Sequence, residues 1–398
     1  MPQGRTLLVL GASNYQCNVI RRAQERGIRV VVVDWSAENP GHAIADESHV
    51  ASTTDVSRVL HIARHSKING IIAPATDVAV ETQAVIAEQL GLFGPPAATA
   101  RLLTSKSAFF HYLEKVGFAV PSFVTITSDS LPTEFGHIPS PCVVKPDDSS
   151  GSKGVALVSD SANLAPAVAI ALHHSRSGKA LAQHYEAGLQ GTVEGCILNG
   201  EIGFLFVTRR QLPPLPALAT AGHTVPSGLS PQQTQRIFED VKQLLTSLNI
   251  FNSVFDADFV WSADGPKFLE LTPRLGGNSL SQLVRYHCGV SIEDMAIDIA
   301  LTGTTAVTDR PPYGGTSKVV LLHSDEGGRL EYNPTALPAA LAVDGVQRVI
   351  LDVDPGTTVS PFANGRHRFG EIIAQGTTPQ DAEAAIERAL AALELRIV

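Results

Sequence analysis

Within its first hundred residues the chain carries three short, unbroken apolar runs: LLVL at 7–10, VVVV at 30–33 and IIA at 71–73. A run apolar at every position must be covered on both faces, which is the setting of a parallel strand between helices, not of a half-exposed antiparallel one. Helix-like stretches at 18–25, 56–65 and 80–90 alternate with the runs. The spacing predicts a doubly wound α/β unit, closed off near Pro95 and Pro96.

From Lys106 the texture changes. A helix over 107–116 ends at Gly117, and strands then dominate, at 123–126, 142–145, 155–158, 180–183, 191–198 and 201–207. Between Thr208 and Pro231 lies a Pro- and Gly-rich segment too long for a connector, which reads as a lid or substrate loop. A helix over 233–248, a hairpin over 254–272 and a helix over 292–301 follow; from about Ala306 a smaller α+β piece ends in a helix over 379–393. The expected architecture is multidomain, α/β and α+β, with boundaries at 1–104, 105–305 and 306–398.

The formal charge of −9 and the lack of a basic run exclude a general nucleic-acid binder, because phosphate backbones are held by clustered Lys and Arg. Cys17, Cys142, Cys196 and Cys288 lack CxxC spacing and His partners, so they read as core residues of a reducing compartment. With no signal-peptide pattern and no run near 18 apolar residues, a soluble cytoplasmic protein without membrane contact is expected. Lysine is scarce, at nine of 30 basic residues, so the places of Lys106, Lys145 and Lys153 matter.

Two segments bear on nucleotides. After the first strand come Gly11, Ser13 and Asn14, and Asp34 closes the second, which loosely suggests a dinucleotide site; yet Ser13 and Gln16 stand where its second and third glycines belong. The segment 143–158, VVKPDDSSGSKGVALV, places Lys145 at a strand end, then a small-residue loop with Lys153, then a strand. Backbone N–H groups of such a loop suit phosphate oxygens, although its spacing is not that of a Walker loop. A plain hairpin with solvated lysines is the bland alternative.

The segment 255–274, FDADFVWSADGPKFLELTPR, is the most informative. Strands paired about a turn at Asp264 set Asp258 opposite Glu270 and Asp256 opposite Thr272. Phe255, Ala257, Phe259, Leu269 and Leu271 then share the apolar face, and Arg274 joins the polar one. Opposed carboxylates repel unless a divalent cation lies between them, and oxygen-only ligands suit Mg²⁺ bridged to substrate phosphates.

Together these elements resemble the ATP-grasp superfamily over nearly the whole chain. Residues 1 to about 104 are similar to the Rossmann-like domain that precedes many ATP-grasp folds. KPDDSSGSKGV resembles the phosphate-covering loop, LAQHYEAGLQGTVEG the adenine hinge and following strand, and FDADF with ELTPRLGGNSLSQLV the metal and phosphate signature. The resemblance implies ATP and Mg²⁺ (or Mn²⁺). Lys106 and Lys145 would contact the phosphates, with Lys145 also near the adenine. Ser150, Gly151, Ser152, Lys153 and Gly154 would fold over the triphosphate. Gln183, His184, Tyr185 and Glu186 would face the adenine edge, Asp258 and Glu270 would hold the metal, and Arg274 would bind the transferred phosphoryl group. Two positions depart from the pattern: Gln190 stands where a ribose-binding Glu is common, and Thr272 replaces a metal-binding Asn, with Asp256 on the same face as a substitute.

The reaction so implied is phosphorylation of a small-molecule carboxylate by ATP and attack on the acyl phosphate by an amine. The RxGG form, Arg274 with Gly276, Gly277 and Asn278, is similar to that of amino acid ligases that make dipeptides or related amides. Catalysis would rest on Arg274 and Lys153, with His223 either touching substrate, assisting deprotonation of the amine, or only tying its loop down. A homodimer is ordinary for the family. Carboxyphosphate- and formyl-phosphate-forming enzymes share the signature, an idle nucleotide-binding module is a further reading, and an NAD-dependent oxidoreductase is the alternative from another class.

Overall fold

The structure is a computed structural model that describes residues 4–130, 138–307 and 312–398. The first sheet is four-stranded and parallel: Thr6–Leu10 lies between Arg29–Asp34 and Gly70–Ile72, with Glu47–Val50 at the edge. Alternation explains why the runs are apolar throughout. Leu7, Val9, Val30 and Val32 enter one cluster, and Leu8, Leu10, Val31 and Val33 enter the cluster on the opposite face. The edge strand ESHV carries no apolar run, which is why its sequence gives no strand signal. Of the four cysteines, all free, Cys17, Cys142 and Cys196 are buried and Cys288 is half-buried.

The second sheet is antiparallel with eight strands, in the order Gly265–Thr272, Ser253–Ser262, Leu189–Leu198, Glu201–Gln211, Gly222–Val225, Thr316–Leu322, Gly370–Gly376 and Val346–Leu351. Its last three strands come from the C-terminal section, so that section completes the central sheet. Helices Leu280–Cys288 and Ile292–Thr302 lie between the two sheets: Leu283, Val284, Ile297 and Ile299 share a cluster with Val9 and Val32 of the first sheet and Cys196, Phe206 and Val319 of the second. This common core fixes the first sheet's strand ends against the central sheet, and an arginine after strand Gly265–Thr272 thereby meets an aspartate from the first domain.

A third, four-stranded antiparallel sheet, Phe123–Thr127, Lys179–His184, Cys142–Pro146 and Ala156–Val158, is backed by helix Leu164–His174. That helix, LAPAVAIALHH, is apolar nearly all round and shows little periodicity. The segment expected as a 208–231 loop is strand at both flanks of a shorter loop. Glu201–Gln211 extends through Arg210, Gly222–Val225 pairs back with His223 opposite Arg210, and 212–221 and 226–230 remain as loop.

The hairpin has the expected register, Asp258 opposite Glu270 and Asp256 opposite Thr272, with one departure. A bulge after Asp258 pairs Phe259 with Phe268, leaving Leu269 as the extra residue. Phe268 therefore takes the fully buried core position with Phe259 and Leu271, and Leu269, half-buried at the margin of that core, lines the cleft with Val260. The expectation that Leu269 belongs to the core face is corrected by this bulge. No helix among the described residues is long and apolar enough to cross a membrane.

Candidate active site

One cleft of about 390 Å³ opens between the third sheet and the hairpin, with the first and C-terminal sections at its end. Most of the residues singled out from the sequence line it: Lys106, Lys145, Ser150, Gly151, Ser152, Lys153, Gln183, Tyr185, Glu186, Gln190, His223, Asp256, Asp258, Glu270, Arg274, Gly277 and Asn278. Gly154, His184, Thr272 and Gly276 do not. Gly154 turns the loop with φ +70° and backs onto His174. His184 faces away from the cleft, its N–H donating to Ser122 O and its ring beside Pro139 O at 3.3 Å. Thr272 is 1% exposed with an unpartnered Oγ1, and Gly276 lies behind the cleft against Glu194.

Asp147 builds the wall that carries the lysines. Its buried carboxylate accepts from Ser107 N–H at 2.7 Å and Ser105 Oγ at 2.6 Å, and its carbonyl accepts from Lys106 N–H at 2.9 Å, pinning the start of helix Lys106–Lys115 to strand Cys142–Pro146. Lys106 Nζ reaches Ser149 O at 2.9 Å and Glu270 Oε1 at 3.5 Å. Lys145 makes no ion pair among the described residues and lies 5.2 Å over the Phe110 ring. Burial, aided by the charge of Lys106, lowers the Lys145 amine to about 7. A polyanion entering the cleft favours the charged amine, so below pH 7 Lys145 is already protonated, and above it binding must take up a proton. The expected result is nucleotide affinity that weakens by up to about tenfold per pH unit above 7, with proton uptake seen at pH 8 as a dependence of binding enthalpy on the buffer's ionisation enthalpy. Lys145→Met should abolish that uptake; an unchanged uptake would assign the proton elsewhere.

Asp258 and Glu270 face each other across the hairpin, each with a cation nearby: Arg210 Nη1 lies 3.4 Å from Asp258 and Lys106 lies 3.5 Å from Glu270. Thr192 Oγ1 donates to Asp258 Oδ1 at 2.6 Å. Among the described residues no three His, Cys, Asp or Glu side chains converge as a metal cage would. A lone opposed pair fits Mg²⁺ or Mn²⁺ whose remaining positions are filled by water and phosphate oxygens. Thr272 contributes nothing there, and Asp256 is committed elsewhere.

That commitment is to Arg274, which is 9% exposed. Its guanidinium donates to Asp77 through Nε at 2.9 Å and also through Nη2, while Nη1 donates to Asp256 at 3.3 Å and to Leu275 O at 2.9 Å. Burial pushes the Asp77 carboxyl up, but the charge and hydrogen bonds of Arg274 bring it below the usual range. Asp256 goes the other way: burial raises it, Arg274 opposes, and Asp258 raises it further. Beside it in the sheet is Glu194, wholly buried and raised well above the usual range by burial and then by Asp256. Both Glu194 oxygens accept from Gly276 N–H at 3.0 Å, so this carboxyl anchors the RLGG turn from behind.

At the far end Gln183 is buried with an unpartnered Oε1, Glu186 is paired with Lys267 at 2.6 Å, and Val143, Val260 and Leu269 supply apolar surface. Apolar walls with one orphaned acceptor suit a flat heterocycle bearing an N–H donor. Tyr185 N–H is spent on Pro141 O. His223 is 1% exposed, its Nδ1 is 3.0 Å from Thr208 Oγ1, and burial drives it down to about 3. A ring that is neutral and so weakly basic cannot take a proton from an ammonium group near neutral pH. Arg210, which the sequence reading passed over, holds the 212–221 loop by donating to Thr220 Oγ1 at 2.8 Å and Leu218 O at 3.1 Å.

Among the described residues, the groups of the first domain that a dinucleotide would need are already occupied. Gln16 fills the place of a pyrophosphate: its Oε1 accepts from Ser13 N–H and Oγ–H, its Nε2 donates to Pro74 O, and it lies against Gly11. The Asp34 carboxylate is occupied by Ala12 N–H, Ser36 N–H and Asn39 Nδ2.

A small-residue loop, several cations and an opposed carboxylate pair around one cleft are the equipment of phosphoryl transfer. An ATP-grasp domain model matches residues 103–278, and the model of L-amino acid ligase C-terminal domain 2 matches residues 321–398. The chain is 24% identical over 377 residues to carnosine synthase 1 of Gallus gallus, covering 87% of this chain and 40% of that longer protein. It is 26% identical over 405 residues to formate-dependent phosphoribosylglycinamide formyltransferase of Paraburkholderia xenovorans, covering 97% and 94%. Its fold superposes on the crystal structure of an L-amino acid ligase from Bacillus licheniformis with a TM-score of 0.84 at 18% identity, covering 100% and 99%. The chain thus carries an ATP-grasp domain at residues 103–278 and, at 321–398, the C-terminal domain of L-amino acid ligases, the make-up of an ATP-dependent carboxylate–amine ligase.

Proposed function

We propose that this protein uses ATP to phosphorylate a carboxylate and joins the resulting acyl group to the amine of an amino acid, giving a dipeptide or related amide. The observation that carries this reading is the single cleft in which the 149–153 loop and Lys145 face Asp258 and Glu270, with Arg274, Gly277 and Asn278 at the end nearest the first domain. A carboxylate oxygen attacks the γ-phosphorus and ADP leaves. The amine then attacks the acyl carbon, phosphate leaves, and the amine nitrogen loses its proton to solvent. Lys106, Lys145 and the loop N–H groups hold the phosphates in line, and Arg274 offers its guanidinium to the oxygens that gain charge. Asp258 and Glu270 would hold Mg²⁺ or Mn²⁺, which supplies charge neutralisation to the phosphates. Gln183 orients the base, Gln190 lies on its strand toward the ribose, and His223 ties the strand that follows the 212–221 loop to Thr208. The strands at 206–211 and 222–225 and the third sheet would keep water from the acyl phosphate.

The match to L-amino acid ligase C-terminal domain 2 supports an amino acid as amine. The nearly full-length similarity to the formyltransferase favours one second reading, activation of formate for transfer to a ribonucleotide amine. We also propose the division 1–104, 105–305 and 306–398, with the central sheet shared by the last two, a homodimer, and the cytoplasm as the place of action. The deciding experiment is a phosphate-release screen with MgATP over pairs of amino acids, with mass spectrometry of the products and a Glu270→Ala chain as background. Amide product above background with an amino acid pair is expected. Release only with formate and a ribonucleotide amine would replace this reading by the second.

A further inference from the structure

The cations of the cleft divide by whether they already have a counter-charge. Arg274 is bound by Asp77 and Asp256, Arg210 by Asp258 and Lys106 by Glu270. Lys145 is deep, over Phe110, among the groups assigned to the triphosphate. Two cations remain at the mouth, Lys153 of the 149–153 loop and Arg366 of the turn Gly365–His367, and neither makes an ion pair among the described residues. They meet at one seam. Gly365 N–H donates to Gly151 O at 3.0 Å, and Asn364 Oδ1 accepts from Arg366 N–H at 3.0 Å, so the turn that presents Arg366 is joined to the loop that presents Lys153.

We propose that Arg366, with Lys153 beside it, binds a carboxylate carried by the amine substrate and thereby selects amino acids over simple amines. This rests on the ligase reading above and adds the residue that sets its amine specificity. Like charges held side by side without an anion repel, and a carboxylate between them reverses that sign. Burial and the neighbouring charges of Arg366 and Arg176 hold the Lys153 amine low. The one acid that also influences it, Asp77, is occupied by Arg274. The phosphates of ATP are the other anion that enters this cleft, and the chain's own organisation argues against them as the partner of Arg366. The ATP-grasp match ends at residue 278, whereas Arg366 lies within the stretch matched by the amino acid ligase C-terminal domain. Tyr15, Gly277 and Asn278 line the same cleft as Arg366 and Arg274, so a molecule in that cleft can offer its carboxylate to Arg366 while its amine faces the acyl group in the same space.

The test offers the amine substrate in two forms, the amino acid and its carboxamide, to the native chain and to Arg366→Gln and Arg366→Lys variants, with phosphate release and product mass as readouts. In the native chain the carboxamide should show a KM at least about tenfold higher than the acid. Arg366→Gln should raise the KM for the acid by about 10- to 100-fold while moving the KM for the carboxamide and for ATP by less than about twofold, and Arg366→Lys should recover part of the loss. A rise shared equally by acid and carboxamide, or confined to ATP, would overturn the proposal while leaving the ligase reading intact. Absence of amide product from the native chain with every pair would overturn both.

Discussion

Replacing Arg274 by alanine should cost at least about a thousandfold in turnover and about 3–5 kcal/mol in stability at once. The two losses have separate origins. Under the proposed mechanism turnover falls because the guanidinium is the cation assigned to the transferred phosphoryl group, where charge builds. Stability falls because Asp77 and Asp256, brought together from the first domain and the hairpin, both lose the charge that offsets their burial. Arg274→Lys separates them. An ammonium keeps one charge between the two carboxylates but cannot reach both with a planar fork. It should retain most of the stability while still losing about a hundredfold in turnover. Urea unfolding and phosphate release, measured on the same preparations, decide the matter. An Arg274→Ala chain as stable as the native one would mean that the two aspartates do not depend on this arginine.

What could be read from the chain beforehand was whatever rests on period and register. Asp258 meets Glu270 because alternation over ten residues allows only one pairing that buries Phe255, Ala257 and Leu271, and a slip by one residue would bury the acids instead. The bulge after Asp258 was invisible for the same reason. It shifts a single residue, and only the placing of Phe268 in the core and Leu269 in the cleft reveals it. The continuous runs of the first sheet were legible because both faces are covered. The helix Asn14–Glu25 was placed too late, since the side chain of Gln16 that closes its start looks polar and unremarkable in sequence.

Residues that act across distant segments left no local signal. Asp77 reads as one acid before a helix, and only the packing of the first sheet against Leu280–Cys288 and Ile292–Thr302 brings it to Arg274. Arg210 looked like part of a proline-rich loop because the strand pairing that orders it involves Gly222–Val225 on the other side of that loop. Arg366 sits ninety-two residues beyond Arg274 and reaches the cleft only because the C-terminal strands extend the central sheet. Glu194 is the sharpest case. A glutamate in a strand that also carries Gln190 and Thr192 could be read as a tolerated charge, yet it is wholly buried behind Gly276.

Gly276→Ala should therefore disable the enzyme although the added group is one methyl. A Cβ at this position would lie 2.2 Å from Glu194 Oε2, 2.7 Å from Asp256 Oδ2 and 2.8 Å from Leu280 Cδ1. None of the three can retreat freely, because Glu194 is held by the Gly276 N–H itself and Asp256 by Arg274. The turn must move instead and carry Arg274 with it. Overpacking of this kind costs about 1–3 kcal/mol, and a displacement near 1 Å at a reacting group costs about a hundredfold in turnover. Since the closest obstacle is the Glu194 side chain, Glu194→Ala opens the space the methyl needs, and the two changes should be coupled. The double variant should be more stable than the sum of the single effects allows by about 1 kcal/mol or more, and it should recover part of the turnover lost in Gly276→Ala. Strict additivity in urea unfolding would show that the glycine is required by something other than Glu194. Native-like turnover in Gly276→Ala would show that the turn does not fix the position of Arg274.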